Sequence, residues 1–322
     1  MRCVALAEEL RDRGIDCAFI ADFAGVPWAA AQVTSRGFGL RQHAEGSPGL
    51  VEKIMDLAPD AVVLDSYHAP PSVSSALRTA GTPLLTIVDG AARGQSGDLY
   101  VDQNLDSENQ PGPTDAPRLA GLPYALLRGE VLRLRPDAPP TGTRQDPPKV
   151  LAYFGGTDAY GASPVLAAAL VASGAAFDAT IVAPRPELRA AIESLPLRPG
   201  QRMSAIGPTE ELMTIAVGSD VVISASGTSL WELLCIGAAT AIIWVVDNQE
   251  LGYERVLAAD LAAGLGHLDD VRDNPAGAAE TLARLLGDVA WRDRLRSTGW
   301  ALVDGQGRAR VASALIEMIK PR

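Results

Sequence analysis

The sequence predicts an α/β protein built from two doubly wound, Rossmann-like domains with a crevice between them. Three observations carry that prediction. Apolar runs rich in β-branched residues alternate with helical patterns along the chain, the mark of parallel βαβ units. The chain has 322 residues, more than a single core of about 250–300 residues normally holds. A stretch with five prolines in thirteen residues, Pro136 to Pro148 (PDAPPTGTRQDPP), breaks the pattern near the middle. It reads as a linker between an N-terminal domain, 1–135, and a C-terminal domain, 149–322, whose last helix is free to pack back on the first.

In the first half, strands are expected near Cys17–Ala21, Ala61–Asp65, Leu84–Asp89 and Leu99–Gln103, with helices near Met1–Arg13, Gly49–Leu57 and Pro71–Ala80. These strands are apolar along their length, so they belong to a sheet covered on both faces. The chain opens directly in an amphipathic helix, RCVALAEELRDRG, with neither a strand nor an N-cap before it. A doubly wound domain normally starts with its central strand. The expectation is therefore that Met1 is internal to a longer protein and that the first strand lies upstream.

In the second half the series is stronger. Strand Val150–Phe154 is followed by helix Ser163–Ala172, strand Thr180–Ala183, helix Pro186–Ser194 and strand Met203–Ile206. Helix Glu210–Val217, strand Asp220–Ala225, helix Leu230–Ile236 and strand Thr240–Val246 come next, and helices close the chain, the last near Arg308–Ile319. Ligands of such sheets collect at the carboxyl ends of the strands.

Composition narrows the partners. The formal net charge is −11, lysine occurs only as Lys53, Lys149 and Lys320, and the arginines form no basic run. Nucleic acid and anionic membrane surfaces are excluded as main partners; a small anion is not, because helix N-termini bind phosphate without lysine. Cys3, Cys17 and Cys235 sit in apolar contexts without metal spacing and read as buried free thiols. His43, His68 and His267 are dispersed, so no metal site is expected. No apolar run reaches the ~18–20 residues of a membrane span, and no signal-peptide pattern is present, which predicts a cytoplasmic protein.

Three polar loops end strands of the second half. Phe154-Gly155-Gly156-Thr157-Asp158 offers a tight, bare turn and a hydroxyl, or else an ordinary βα turn with a polar cap. Ser224-Ala225-Ser226-Gly227-Thr228-Ser229-Leu230-Trp231-Glu232 brings small residues and three hydroxyls to a helix start, where N–H groups and the partial positive charge suit a diphosphate. Glu232, one turn in, could accept the two hydroxyls of a ribose; Ser229 and Glu232 also have the spacing of a capping box, which would make both purely structural. Trp244-Val245-Val246-Asp247-Asn248-Gln249-Glu250 ends a buried strand in amides and carboxylates suited to sugar hydroxyls, or in an N-cap supplied by Asp247 or Asn248. Their clustering at one sheet edge points to a ligand more strongly than any single loop. In the first half, Leu64-Asp65-Ser66-Tyr67-His68 also ends a strand: Tyr67 could hydrogen-bond a sugar or the reacting centre, and His68 could exchange a proton. Asp89, Asp98 and Asn104 end or flank other strands and read equally well as loop caps.

FGGTD, SASGTSLWELLCIG and VVDNQE, with the N-terminal RCVALAEELRDRG, LDSY, VDQN and GLPYALLRGE, resemble in order the PseG/SpsG family. That family comprises UDP-sugar hydrolases of pseudaminic-acid biosynthesis and spore-coat polysaccharide proteins, and it shares the two-domain GT-B fold of the MurG glycosyltransferases. The resemblance implies a C-terminal domain that binds UDP, with Gly155, Gly156 and Thr157 by the phosphates. It also implies Ser226, Gly227, Thr228 and Ser229 at the diphosphate, Glu232 on the ribose and the backbone near Ile206 on the uracil. Asn248 and Gln249 would face the sugar, and Tyr67 would line the catalytic side. It implies hydrolysis with inversion and no essential metal or cofactor. A cytidylyltransferase or another enzyme of the same sugar pathway would be the protein partner. The family pattern opens Gly-x-Gly-His-x-x-Arg-Cys; Arg2 and Cys3 match its end, so the family's base would precede Met1. No residue here, His68 included, inherits that role. The expected activity is a UDP-sugar hydrolase that releases an acetamido-deoxy sugar; the alternatives are a GT-B glycosyltransferase and a catalytically impaired sugar-nucleotide binder.

Overall fold

The computed structural model describes residues 1–23, 27–44, 47–142 and 146–320. The chain forms two compact units, one of Met1–Gly129 with Gly305–Arg322 and the other of Glu130–Asp304. The boundary falls at the first residue of α5 (Gly129–Leu134).

Unit 1 starts with α1 (Arg2–Asp12), whose Ala5, Leu6 and Leu10 recur at helical spacing and are buried. Then come β1 (Ala18–Ala21), α2 (Pro27–Thr34), β2 (Gly39–Gln42), α3 (Leu50–Met55) and β3 (Val62–Leu64). The series ends with α4 (Pro71–Thr79), β4 (Leu84–Ile87), β5 (Leu99–Asp102) and β6 (Arg118–Ala120). The strands pair in parallel as two sheets, β1-β2 and β3-β4-β5-β6. The break between β1 and β3 is bridged by side chains alone: Ile20 of β1 packs on the cluster that holds Leu64, Leu77 and Leu84. α2, β2 and β6 were not expected from the sequence; β2 (GLRQ) and β6 (RLA) are too short and too polar to show a period.

The last helix, α14 (Gly307–Ile319), belongs to this unit. Its Val311, Ala312 and Leu315 share a core with Ala5, Leu6 and Leu10. Arg308 bonds Glu8 at 3.3 Å and Glu9 at 3.1 Å. Gly307 lies so close to the Ala125 backbone that a Cβ would come within 2.2 Å of its carbonyl oxygen.

Unit 2 alternates strictly at first: β7 (Lys149–Tyr153), α6 (Ala162–Ala172), β8 (Phe177–Val182), α7 (Pro186–Glu193), β9 (Gln201–Ile206), α8 (Leu212–Val217). β10 (Val221–Ala225), α9 (Ser229–Cys235), β11 (Thr240–Trp244), α10 (Glu250–Ala258) and β12 (Ala263–His267) follow. Three helices, α11 (Leu268–Asp273), α12 (Ala276–Gly287) and α13 (Val289–Leu302), complete it. All six strands are parallel in the order β12-β11-β10-β7-β8-β9, and the core clusters on the helix-covered sheet faces, as the fully apolar strands require.

The described residues of the proline-rich stretch read as a linker fall inside unit 2. Pro136 O accepts from Trp300 Nε1 at 3.0 Å, and Gly142 O from Arg296 at 2.6 Å. Of the three thiols expected to be buried, Cys235 is; Cys3 and Cys17 are half-buried.

Arg296 is the electrostatic anchor here. Fully buried, it also reaches Asp220 O at 2.9 Å and the Asp293 carboxylate at 3.0 Å, and it lies 3.6 Å from the buried Asp220 carboxylate, which itself accepts from Lys149 N. Removing one partner of such a group strands the other's charge. Arg296→Ala should therefore cost about 3–5 kcal/mol in urea unfolding, and a loss under ~1 kcal/mol would show the network to be incidental.

Candidate functional site

β7 and β10 are neighbours, with Val150 opposite Val221 and Tyr153 opposite Ser224. From β7 the chain winds one way through β8 to β9, and from β10 it winds the other way to β12. The loops after β7 and β10 therefore leave the sheet side by side at the point where strand order reverses, the place where such sheets leave an open edge for ligands.

The loop after β7 divides its labour. Phe154 is buried, and Gly155, Gly156 and Thr157 are exposed, with Gly155 at φ +73°. Asp158, buried and held at φ +44°, accepts from Ala162 N at 2.8 Å and Ser163 N at 3.0 Å. Asp158 thus satisfies the first two amides of α6, whose N-cap position is Gly161, so the structural alternative holds for Asp158, and the three residues before it are exposed.

In the loop after β10, Ser226 N donates to Ile243 O (2.7 Å) and Gly227 N to Ala225 O (2.9 Å). Leu230 N–H donates to Gly227 O (2.9 Å) and Trp231 N–H to Thr228 O (3.2 Å); the amides of Thr228 and Ser229 precede the helix ladder. Thr228 is the N-cap and makes no side-chain cap bond, while Ser229 already lies in the helix. The capping-box alternative for Ser229 and Glu232 is thus corrected: the helix starts one residue too early for it. Glu232 sits buried in the first turn. Gly227 does not occupy the left-handed region, and a Cβ there would meet nothing within 4 Å. Neither conformation nor packing within the protein requires a glycine at that position.

After β11, a 3-10 turn spans Asp247–Gln249. Gln249 Oε1 accepts from Val245 N at 3.0 Å, which fixes the orientation of its side-chain amide. Asn248 is exposed. The N-cap of α10 is Gln249 rather than Asp247 or Asn248. Ile206 ends the edge strand β9, half-buried, its carbonyl accepting from Ala183 N at 2.9 Å.

Unit 1 gathers a second polar group. Arg2, at the start of α1, donates to both Asp65 oxygens (2.9 and 2.7 Å) and both Asp89 oxygens (2.9 and 3.1 Å). Asn104 Nδ2 donates to Asp89 at 2.8 Å and Asp102 at 2.9 Å, and the Tyr67 hydroxyl donates to Asp89. Cys3 Sγ donates to Asp65 at 3.3 Å. Arg93 lies over the Tyr67 ring, 4.2 Å from its centroid. Of the residues singled out from the sequence, Asp65, Tyr67, Asp89 and Asn104 come together. Asp98 does not: it caps Leu84 N at 3.0 Å and pairs with Arg78. His68 is exposed, its backbone N–H bonded to Ser66 Oγ. Sequence reasoning missed Arg2 and Asp102 as members; two carboxylates at successive strand ends facing a helix N-terminus were the signal available. Among the described residues no cluster of His, Cys, Asp and Glu could hold a metal ion, and no helix is long and apolar enough to cross a membrane.

Burial pushes the Asp89 carboxyl upward, but the hydrogen bonds and charge of Arg2, with Tyr67 and Asn104, overcome it and hold its pKa below the usual 3.8. Burial, then the bond to Asp89 and its charge, push the Tyr67 phenol up to about 12.

No protein-family model matches the chain, and no curated protein sequence matches it. Solved structures do. A MurG of Acinetobacter baumannii superposes with a TM-score of 0.70 at 13% identity, covering 98% of this chain and 95% of that one. The spinosyn forosaminyltransferase SpnP gives 0.66 at 15% identity over 99% and 95%. The spinosyn rhamnosyltransferase SpnG complexed with thymidine diphosphate gives 0.66 at 16% over 99% and 96%. The fold is GT-B-like. At these identities the likeness is one of fold alone.

Because the folded Asp89 pKa is depressed, its contribution to stability is present above its unfolded value of about 3.9 and is lost as pH falls through the folded one. Urea midpoints measured down the acid limb should fall more steeply for the native protein than for Asp89→Asn; parallel limbs would show that Asp89 is not held ionised.

Proposed function

We propose that the chain is a GT-B enzyme acting on a nucleoside-diphosphate sugar, transferring the glycosyl group to an acceptor hydroxyl. The observation that carries it is in unit 2: the strand-order reversal sets Gly155–Thr157 beside Ser226–Ser229, and Gly227 is bare for no reason of the fold's own. Resemblance in fold to MurG and to two spinosyn glycosyltransferases puts transfer ahead of hydrolysis.

In this reading Gly155, Gly156 and Thr157 lie along the phosphates, and the Thr228 and Ser229 amides meet the diphosphate as it leaves. The hydroxyls of Ser226, Thr228 and Ser229 add donors. Glu232 takes the ribose hydroxyls, the backbone at Ile206 the base, and Asn248 with the Gln249 amide nitrogen the sugar. As the bond from the anomeric carbon to the diphosphate oxygen breaks and its electron pair leaves with the diphosphate, the acceptor oxygen bonds that carbon and releases its proton to water. Tyr67 is assigned to the sugar or the acceptor. Asp89, saturated by four donors, is a fixed anion and not a proton acceptor.

Hydrolysis, with water in place of the acceptor, is the second reading. The PseG/SpsG-like motifs favour it, because FGGTD, SASGTS and VVDNQE occur together with LDSY and VDQN in that family's order. Uridine and thymidine diphosphate should both be titrated calorimetrically, and nucleotide release from UDP-N-acetylglucosamine and from a thymidine-diphosphate deoxysugar followed with and without a hydroxylated acceptor. Release that needs the acceptor supports transfer, and release without it supports hydrolysis. Failure of both nucleotides to bind would remove the proposal.

Two variants probe the site directly. Gly227→Ala, whose Cβ enters open space, should leave the urea midpoint unchanged yet weaken nucleotide binding about 10-fold, or ~1.4 kcal/mol. Glu232→Gln should weaken it by a similar ~10-fold, with a smaller effect on a ligand lacking ribose hydroxyls.

A further inference from the structure

A small cavity of about 20 Å³ lies at the carboxyl edge of the β3–β6 sheet, its lining including Arg2, Asp65, Tyr67, Asp89, Arg93 and Gln95. That is room for a single water molecule or one polar substituent of a ligand. Two features fix what kind of group it accepts. The Tyr67 hydroxyl donates its only proton to Asp89, leaving the phenol oxygen with lone pairs alone to offer. Gln95 is 8% exposed, and its Oε1 is buried without a partner. Its amide cannot be turned over, because Nε2 donates to Ala69 O and a carbonyl requires a donor there. Two acceptors on residues that line the cavity thus have no protein donor: Gln95 Oε1, which is buried, and Tyr67 Oη, whose side chain is exposed to solvent.

The charges around it select among donors. Asp89 cannot release the Tyr67 proton bond by reorienting, because its other lone pairs are engaged by Arg2 at 2.9 and 3.1 Å and Asn104 at 2.8 Å. Asn104 is itself fixed by Asp102 at 2.9 Å, and Asp102 accepts from Gly90 N at 2.8 Å. A hydroxyl that donates to a carboxylate becomes a better acceptor through polarisation of its bond. A phosphodiester, ionised at neutral pH, brings only acceptors and would meet these two oxygens lone pair against lone pair. A sugar O–H or an amide N–H supplies what is missing.

We propose that this cavity is a donor-selective subsite, taking one O–H or N–H of a carbohydrate ligand on Tyr67 Oη and Gln95 Oε1, with Asp89 as the positioning residue that keeps Tyr67 an acceptor. The carbohydrate part rests on the nucleotide-sugar reading above; the hydrogen-bond polarity does not.

The test separates the two. Tyrosinate absorbance is followed in the native protein, Tyr67→Phe and Asp89→Asn, the Phe variant identifying the Tyr67 contribution. In the native protein Tyr67 should stay protonated below about pH 11, and in Asp89→Asn it should ionise in that range, nearer its ordinary value of about 10. An unchanged Tyr67 titration in Asp89→Asn overturns the proposal whatever the enzyme acts on. With the nucleotide sugar that turns over, Tyr67→Phe and Asp89→Asn should each lower kcat/KM about 10-fold to 100-fold while the affinity for the free nucleotide diphosphate stays within ~2-fold. Native kcat/KM in Tyr67→Phe would overturn the subsite with the nucleotide reading intact, whereas absence of nucleotide binding in the native protein would strike that reading and leave the tyrosine titration to decide the polarity.

Discussion

The parallel pairing of β7 with β10 is the constraint on which unit 2's candidate site depends. Those strands are distant in sequence, and every loop between them belongs to the β8–β9 wing. Only because they meet at the sheet centre do Gly155–Thr157 and Ser226–Ser229 emerge together. Their burial on both faces makes the pairing stiff: Val150, Leu151 and Ala152 and their partners Val221, Val222 and Ile223 are almost wholly removed from water. The polar loops can then be small and bare, because the sheet rather than the loops supplies the rigidity.

Within that frame each loop separates residues that hold the fold from residues left exposed. Asp158 takes the first amides of α6, so Thr157 need not. Gln249 ties its own turn through Oε1 and leaves Asn248 exposed. Thr228 opens α9 without a side-chain cap. In the proposed reading, a helix start whose first amides lie outside the ladder, next to a glycine that packing does not demand, takes the anion through backbone geometry; no lysine lies in any of the three loops.

Unit 1 works differently. Its strand ends carry carboxylates, and one guanidinium organises them: Arg2 spans Asp65 and Asp89, and Asn104 links Asp89 to Asp102. A cation at a helix N-terminus opposes the helix dipole, and the two carboxylates compensate. The outcome is an edge rich in fixed negative charge, the opposite of unit 2's bare amides, and suited to neutral donors rather than phosphate.

The alternating βα pattern, the fully apolar strands of the second half and the three polar strand-end loops were legible in the sequence, because each is a local period or a run of small residues after an apolar run. β2 and β6 were not, being too short to show alternation. The sequence left the last helix free to pack back on the first domain; its seat on α1 depends on Gly307 accepting the Ala125 backbone far away in sequence. The sequence left Ser229 and Glu232 poised between a capping box and a ligand site; the helix start at Ser229 removes the capping box, and nothing local could have. Residue types alone determined that this chain makes buried parallel strands ending in polar turns, since burial and turn chemistry are local. Which turns stand together, and which way Tyr67 points its proton, only the tertiary structure decided, because strand order and the meeting of Arg2 with Asp65 and Asp89 join groups separated by 63 and 87 residues.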